Sequence, residues 1–271
     1  MFYANILVSV DFSEPAPDRV RLAAALARRF DAVLTGAAAA EVPVPLFAHD
    51  IRDAARQYDP VQGHDPAGAR AGAGDFLPLL AEARRTARSG GTDRPFAHLV
   101  AKARAADLVV VGRTGPTLLD PSPFGVAVAP VLMEAGRPVL IVPPDVAGAP
   151  GQRIVVAWKD TPEALRETIL GALPFLRSSA QVFVVTTGQG AGSRGVEEVA
   201  AHLRLHGASV TTHLLTTSVS DSGEILRFAR DQQADLIVMG AYGHARLREW
   251  AFGGVTREIL QETALCCLMA H

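Results

Sequence analysis

Two stretches of this chain repeat each other, and that duplication restricts the fold more than any other feature. Asn5–Glu14 reads NILVSVDFSE and Arg153–Glu163 reads RIVVAWKDTPE. Each is a short apolar strand, then a polar turn, then Pro, Glu and Ala opening a helical pattern. Asp107–Gly115 (DLVVVGRTG) is matched by Asp235–Gly243 (DLIVMGAYG), and Pro138–Val142 (PVLIV) by Cys266–Ala270 (CCLMA). Three matched segments in the same order imply two copies of one folding unit. The copies are expected at residues 1–144 and 152–271, joined by the Pro/Gly-rich Pro143–Gly151.

Within a copy, strands alternate with helical patterns. Copy two is expected to run strand Arg153–Trp158, helix Pro162–Leu176, strand Gln181–Thr187, helix Val196–His206, strand Ser209–Leu215, helix Gly223–Gln233 capped by Ser222, strand Asp235–Met239, helix Val255–Glu262 and strand Leu265–Ala270. Such alternation predicts an α/β fold with a parallel sheet and helices on both faces, and the near-continuously apolar strands agree. Copy one departs in its middle. After strand Ala32–Ala39, the Pro-, Asp- and Gly-rich Glu41–His64 reads as an inserted loop or lid. A helix is expected over Phe76–Arg88, Ser89–Arg94 leads into a helix at Pro95–Ala105, and no clear third strand lies between. Copy one is therefore expected to be four-stranded, or five-stranded with a very short edge.

Composition excludes several functions. The 271 residues are 49% hydrophobic and 20% charged, which suits a globular protein. Lys+Arg 26 against Asp+Glu 28 gives a net charge of -2, so neither nucleic acid nor a membrane surface is the expected partner. No apolar run approaches the ~20 residues of a membrane span. Met1–Val10 lacks the basic start and cleavage site of a signal peptide. The only cysteines, Cys266 and Cys267, are neighbours that cannot bridge within a strand, so a reduced, cytoplasmic setting is expected.

The segment with the most chemical content is Gly240-x2-Gly243-x9-Gly253-Gly254-Val255-Thr256. It leaves the end of the fourth strand of copy two and enters the next helix. Backbone N–H groups and the positive helix end converge there, an arrangement that favours phosphate. Thr256 adds a hydroxyl, and His244 within the loop could donate to a phosphate. Ligands of open parallel sheets sit beyond the carboxyl ends of the strands where strand order reverses. Lys159 and Asp160, together with Thr187 and Met239 at strand ends, complete the expected site.

GAYGHARLREWAFGGVT (Gly240–Thr256) and VAWKDT (Val156–Thr161) carry a resemblance to the universal stress protein family, and the whole chain except Glu41–His64 resembles a tandem member. The resemblance implies two five-stranded parallel sheets of order 3-2-1-4-5. It implies ATP, with or without Mg, held by a G-x2-G-x9-G-(S/T) loop and an Asp after the first strand in the members that bind it. It also implies dimerisation through the last strand, which a tandem chain would mimic internally as a pseudo-dimer; a homodimer through an exposed edge strand is a further option. Copy two matches at Gly240, Gly243 and Gly253, but Gly254 replaces the Ser/Thr and Lys159 replaces the Asp. Copy one keeps Asp11, Ser13 and the spacing of Gly112, Gly115 and Gly125, but Val126 replaces the Ser/Thr and Pro116, Pro121 and Pro123 occupy the loop. Proline has no N–H to offer a phosphate. Each copy has altered one part of the site.

Other motifs have plainer readings. Ser89–Asp93 fits the SGGxD pattern of pyrophosphatase loops, but it follows an Arg-rich segment and reads as a helix stop. His202 and His206 share a helix face without a clear third metal ligand, so no metal site is expected. No nucleophile–base pair or carboxylate pair stands out. The expectation is a regulatory protein that binds an adenine nucleotide in copy two, with little or no catalysis and at most a weak ATPase. Its rivals are a nucleotide-free scaffold acting through protein partners, and an enzyme of adenylyl or pyrophosphate chemistry.

Overall fold

The computed structural model describes residues 2–11, 13, 15–39, 85–91, 95–113, 126–146, 148–159, 169–187, 195–216, 220–241 and 254–270. Copy one supplies β1 (Asn5–Val10), α1 (Ala16–Phe30), β2 (Val33–Ala39), β3 (Arg85–Gly91), α2 (Pro95–Ala103), β4 (Leu108–Gly112), α3 (Val128–Glu134) and β5 (Val139–Val142). Copy two supplies β6 (Arg153–Ala157), α4 (Leu170–Ser178), β7 (Gln181–Thr187), α5 (Val196–Leu205), β8 (Val210–Leu215), α6 (Asp221–Asp231), β9 (Leu236–Gly240), α7 (Gly254–Glu262) and β10 (Cys266–Ala270).

The strands lie in the order β3-β2-β1-β4-β5-β10-β9-β6-β7-β8. Read inward from each edge, each copy has the expected order 3-2-1-4-5, and all pairings within a copy are parallel. One difference is that the two sheets are a single ten-stranded sheet. Its centre is the antiparallel pairing of β5 with β10, where Ile141, Leu140 and Val139 meet Cys267, Leu268 and Met269. All of these residues are almost wholly buried, so separating the copies would expose two apolar strands.

The third strand of copy one corrects the sequence reading. Arg85–Gly91 is not the end of a helix but an edge strand in register with β2, from Val33↔Arg85 to Ala39↔Gly91. RTARSGG contains one β-branched residue and no alternation, so propensity gives no strand signal. The ladder of main-chain hydrogen bonds offered by β2 decides the conformation instead. The SGGxD residues Ser89–Gly91 thus belong to this strand. Glu41–His64 and most of the expected helix Phe76–Arg88 lie outside the described residues.

Alternate side chains of each strand enter two cores. One lies under α1, α4 and α5 and takes Ile6, Val8, Ile154, Val156, Leu236 and Val238. The other lies under α2, α3, α6 and α7 and takes Leu7, Val155, Ile237 and Met239. Both cores run through both copies. Arg29 fastens them at one end: Nη1 donates to the Pro150 carbonyl at 2.9 Å, Nη2 to those of Gly151 and Ser178 at 2.9 and 3.0 Å, and the guanidinium lies over Phe30 and Phe175. Tyr3 donates to the Gly171 carbonyl at 2.6 Å across the same boundary.

The duplication extends to single hydrogen bonds. Asp107, just before β4, accepts from the Ala4 and Asn5 N–H groups at 2.8 and 3.0 Å. Its counterpart Asp235, just before β9, accepts from the Gly151 and Gln152 N–H groups at 2.8 and 2.9 Å. Each carboxylate satisfies the free amides that open the first strand of its copy. Cys266 and Cys267 are free and buried, and burial pushes the Cys267 thiol up to about 12.

Candidate functional site

The crevice of copy two is set by strand register. β6 and β9 are adjacent and parallel, with Ala157 level with Met239, and they diverge to opposite sides of the sheet order beyond that point. Lys159 therefore emerges at the carboxyl end of β6 next to Gly240 at the end of β9. Thr187, at the end of β7, is level with Lys159 because Ala157 pairs with Val185. Trp158 is buried, its N–H donating to the Val185 carbonyl at 2.8 Å, whereas Lys159 is exposed. Met239 is 5% exposed and packed in the core beneath α7, so its side chain is not turned toward a ligand.

The chain re-enters the described structure at Gly254, the first residue of α7. Gly254 is exposed, Val255 half-buried and Thr256 buried. Thr256 is only 6% exposed and lies in the first turn of the helix, where backbone N–H groups have no intrahelical partner. Among the described residues, only Glu258 Oε1, at 4.0 Å, stands near the position of a Gly254 Cβ. Glu258 Oε2 accepts from Ser222, which ties the second turn of α7 to the first turn of α6.

That contact corrects the cap of α6. Ser222 was the expected N-cap, but Ser220 fills the position, its Oγ accepting from the Gly223 N–H at 3.0 Å. Ser222 is inside the helix and its hydroxyl is used by Glu258 instead. Of the expected site residues, Lys159, Thr187, Gly240, Gly254, Val255 and Thr256 lie at the carboxyl edge of the sheet or at the start of α7. Asp160, Gly243, His244 and Gly253 lie outside the described residues, as do Gly115 and Gly125 of copy one.

In copy one the same positions have other uses. Asp11 stands where Lys159 stands in copy two, five residues beyond Ile6 as Lys159 is beyond Ile154. Its Oδ2 accepts from Arg19 Nη2 at 2.6 Å, and its Oδ1 accepts from the Ser13 N–H at 3.0 Å and from the Ser13 hydroxyl. Arg19 Nε donates to the Ser9 carbonyl at 3.0 Å, and Nη1 is buried with no partner. Burial pushes the guanidinium below its ordinary range, against the pull of Asp11. Asp11 is therefore committed to this ion pair, with 1% and 7% of the two side chains exposed. At the start of α3, Val126 and Val128 occupy the positions of Gly254 and Thr256, and both are buried. Gly112 ends β4, and the next residue, Arg113, turns away from the crevice to donate from Nη1 to the Leu260 carbonyl of α7.

Arg19 and Arg113 were missed in the sequence. Arg19 had a signal: it falls on the apolar face of α1 with Ala16, Val20, Ala23 and Ala27, where a charge needs a buried partner. Arg113 had none, since its partner is a backbone carbonyl 147 positions away. His202 and His206 stack edge to face with ring centroids 4.6 Å apart, and among the described residues no group of three metal-ligating side chains occurs.

Comparison with known proteins agrees with the architecture. A universal stress protein from Archaeoglobus fulgidus DSM 4304 superposes with a TM-score of 0.72 over 98% of this chain and 97% of that one, at 14% identity. A functionally unknown protein, PA1789, from Pseudomonas aeruginosa PAO1 superposes with a TM-score of 0.58 over 99% of this chain and 92% of that one, also at 14% identity. In sequence, the universal stress protein Slr1230 of Synechocystis is 22% identical over 166 residues. Those residues are 59% of this chain and 56% of that protein, so the match spans about half of Slr1230. The model of the Universal stress protein family matches residues 2–143 and 178–271. With both copies matched and the sheet order of the fold in place, the chain belongs to the universal stress protein family.

Proposed function

We propose that this chain is a nucleotide-binding regulator whose second copy, residues 152–271, holds ATP or another adenine nucleotide. The observation that carries the reading is the start of α7, where exposed Gly254 and buried Thr256 stand at the same sheet edge as exposed Lys159. A helix N-terminus, a hydroxyl donor and an ammonium suit a polyphosphate, whose oxygens accept hydrogen bonds and carry charge. Copy one, residues 1–144, is the silent partner: its carboxylate is spent on Arg19 and its helix start is lined by valines. The two copies form an internal counterpart of a dimer, a reading supported by the β5–β10 pairing.

Hydrolysis is slow or absent in this reading, well under the ~1 s⁻¹ at the low end of ordinary enzymes, because the described crevice holds no carboxylate or imidazole to position water. Any Mg²⁺ arrives chelated by the phosphates, since the described residues gather no metal cage. The two buried, free cysteines support a reducing, cytoplasmic setting. Calorimetric titration with ATP, ADP and AMP tests the proposal, together with mass analysis of ligand released from freshly purified protein. Binding at one equivalent per chain, lost in Thr256→Val, is the expected result. Titrations without heat for all three nucleotides, and no released ligand, would leave a scaffold acting through partners.

A further inference from the structure

We propose that a second copy of this chain docks on the outer edge of β8, with β8 pairing to β8 antiparallel about Thr212. The inference does not depend on the nucleotide reading. β5 and β10 close on each other within the chain, so the sheet ends at β3 and β8. The two edges differ in chemistry. β3 reads RTARSGG, and arginines and glycines blunt an edge against pairing. β8 reads VTTHLL, with no lysine, arginine, acid, glycine or proline. Its Thr211 is exposed, and Leu214 is 59% exposed.

The ladder decides which main-chain groups of β8 point outward. β8 runs parallel to β7, with Val182 beside Val210. The Val182 N–H donates to the Ser209 carbonyl at 2.8 Å, so residues 209, 211, 213 and 215 turn their N–H and C=O groups toward β7. Val210, Thr212 and Leu214 turn theirs outward. Arg204 of α5 agrees with this, since its Nη2 donates to the Val210 carbonyl at 3.2 Å. That carbonyl keeps a second lone pair for a partner strand.

The outward groups are self-complementary. When a sheet continues through a two-fold axis, the axis stands perpendicular to it, and facing residues share a face. Only a centre at Thr212 then pairs all the outward residues: Thr212 faces Thr212 of the second copy, and Val210 faces Leu214 of the second copy, twice. Each such pair exchanges both of its N–H···O bonds. Thr212 Oγ1 donates to Glu197 Oε1 at 2.6 Å, so Val210 and Leu214 share the α5 face, where exposed Leu214 gains an apolar neighbour. On the other face, where His213 packs on Phe228, Thr211 meets His213. Glu197 and Arg204 flank the edge on α5 as a pair of opposite charges 3.9 Å apart, so no net charge there repels a second copy. A strand that matches itself about its middle residue fits a second copy, whereas an unrelated peptide has no need of that match. One strand edge and one helix rim bury less than the ~1,600 Å² of a standard interface, so the association is transient, with a dissociation constant of about 10–100 µM.

Sedimentation equilibrium of the full chain, from well below to well above that range, tests the proposal. Wild type should pass from monomer to dimer. Leu214→Lys puts a charge on the edge at an exposed position, and Thr212→Pro removes an outward N–H without breaking the ladder to β7. Each should weaken association by at least about tenfold, with the far-ultraviolet circular dichroism of wild type. Mild oxidation reads the register. Thr212→Cys should form a disulfide between copies, because facing hydrogen-bonded residues hold their Cα atoms ~5.5 Å apart. Leu214→Cys should not, since its two copies stand ~13 Å apart along the strands. The native cysteines are buried and add no background. A monomer throughout the range would overturn the inference and leave the edge to an extended segment of another protein. So would a dimer indifferent to Leu214→Lys, or one that Thr212→Cys fails to crosslink.

Discussion

The buried pair Arg19–Asp11 gives the sharpest energetic prediction. Asp11→Ala would leave a guanidinium that is 1% exposed, with Nη1 already unpartnered and Nη2 newly so. Removing one member of such a pair costs ~3–5 kcal/mol, because the remaining charge stays buried without compensation. Arg19→Leu would strand the carboxylate, although the Ser13 N–H and hydroxyl still donate to it, which places the loss near the lower end at about 3 kcal/mol. The double variant Asp11→Ala/Arg19→Leu leaves no buried charge and a leucine on an apolar helix face, so it should cost only ~2 kcal/mol or less. Urea unfolding followed by far-ultraviolet circular dichroism measures all three against wild type. Single-variant losses that add in the double within ~0.5 kcal/mol would refute the coupling, and with it the claim that Asp11 is unavailable to a ligand.

Three further outcomes follow from other parts of the molecule. Arg29→Ala removes three hydrogen bonds to main-chain carbonyls, two in the linker and one in copy two, and two cation–π contacts. It should lower stability by ~2–4 kcal/mol in the same unfolding assay, and a loss below ~0.5 kcal/mol would contradict the fastening role. His213 is packed by Phe183 and Phe228, and burial holds its imidazole below the ordinary histidine range. Below pH ~6.5 the unfolded chain takes up this proton first, so the histidine's contribution is lost as pH falls. His213→Phe should therefore show a smaller decrease in urea midpoint between pH 7 and pH 5 than wild type, and equal decreases would contradict the assignment. Gly254→Ser adds a hydroxyl at a position where a Cβ meets none of the described residues closer than 4.0 Å. ATP affinity measured by calorimetry should rise by roughly threefold to tenfold, as one more donor reaches the phosphate. Unchanged affinity would mean that the start of α7 does not touch the ligand.

Much of the fold was legible because two signals reinforced each other. The apolar strands buried on both faces and the repeated D-L-[VI]-V segments each pointed to a duplicated parallel sheet, and Asp107 and Asp235 hold equivalent places in it. The edge strand β3 was not legible, since its conformation depends on a partner strand 52 positions earlier and not on its own residues. The joining of the two sheets came into view only through the resemblance, because pairing between β5 and β10 leaves no periodic trace in either. In the candidate site, the positions of Lys159, Gly254 and Thr256 followed from the repeat alignment. What the alignment could not convey was occupancy: Asp11 reads as an open acceptor in sequence and is closed by Arg19 in three dimensions.

The central claim is that the second copy alone holds the nucleotide. Photocrosslinking of the full chain with 8-azido-ATP, followed by peptide mapping, tests it directly. Label displaced by excess ATP and confined to peptides within residues 152–271 is the predicted result, whereas displaceable label in peptides of residues 1–144 would contradict it.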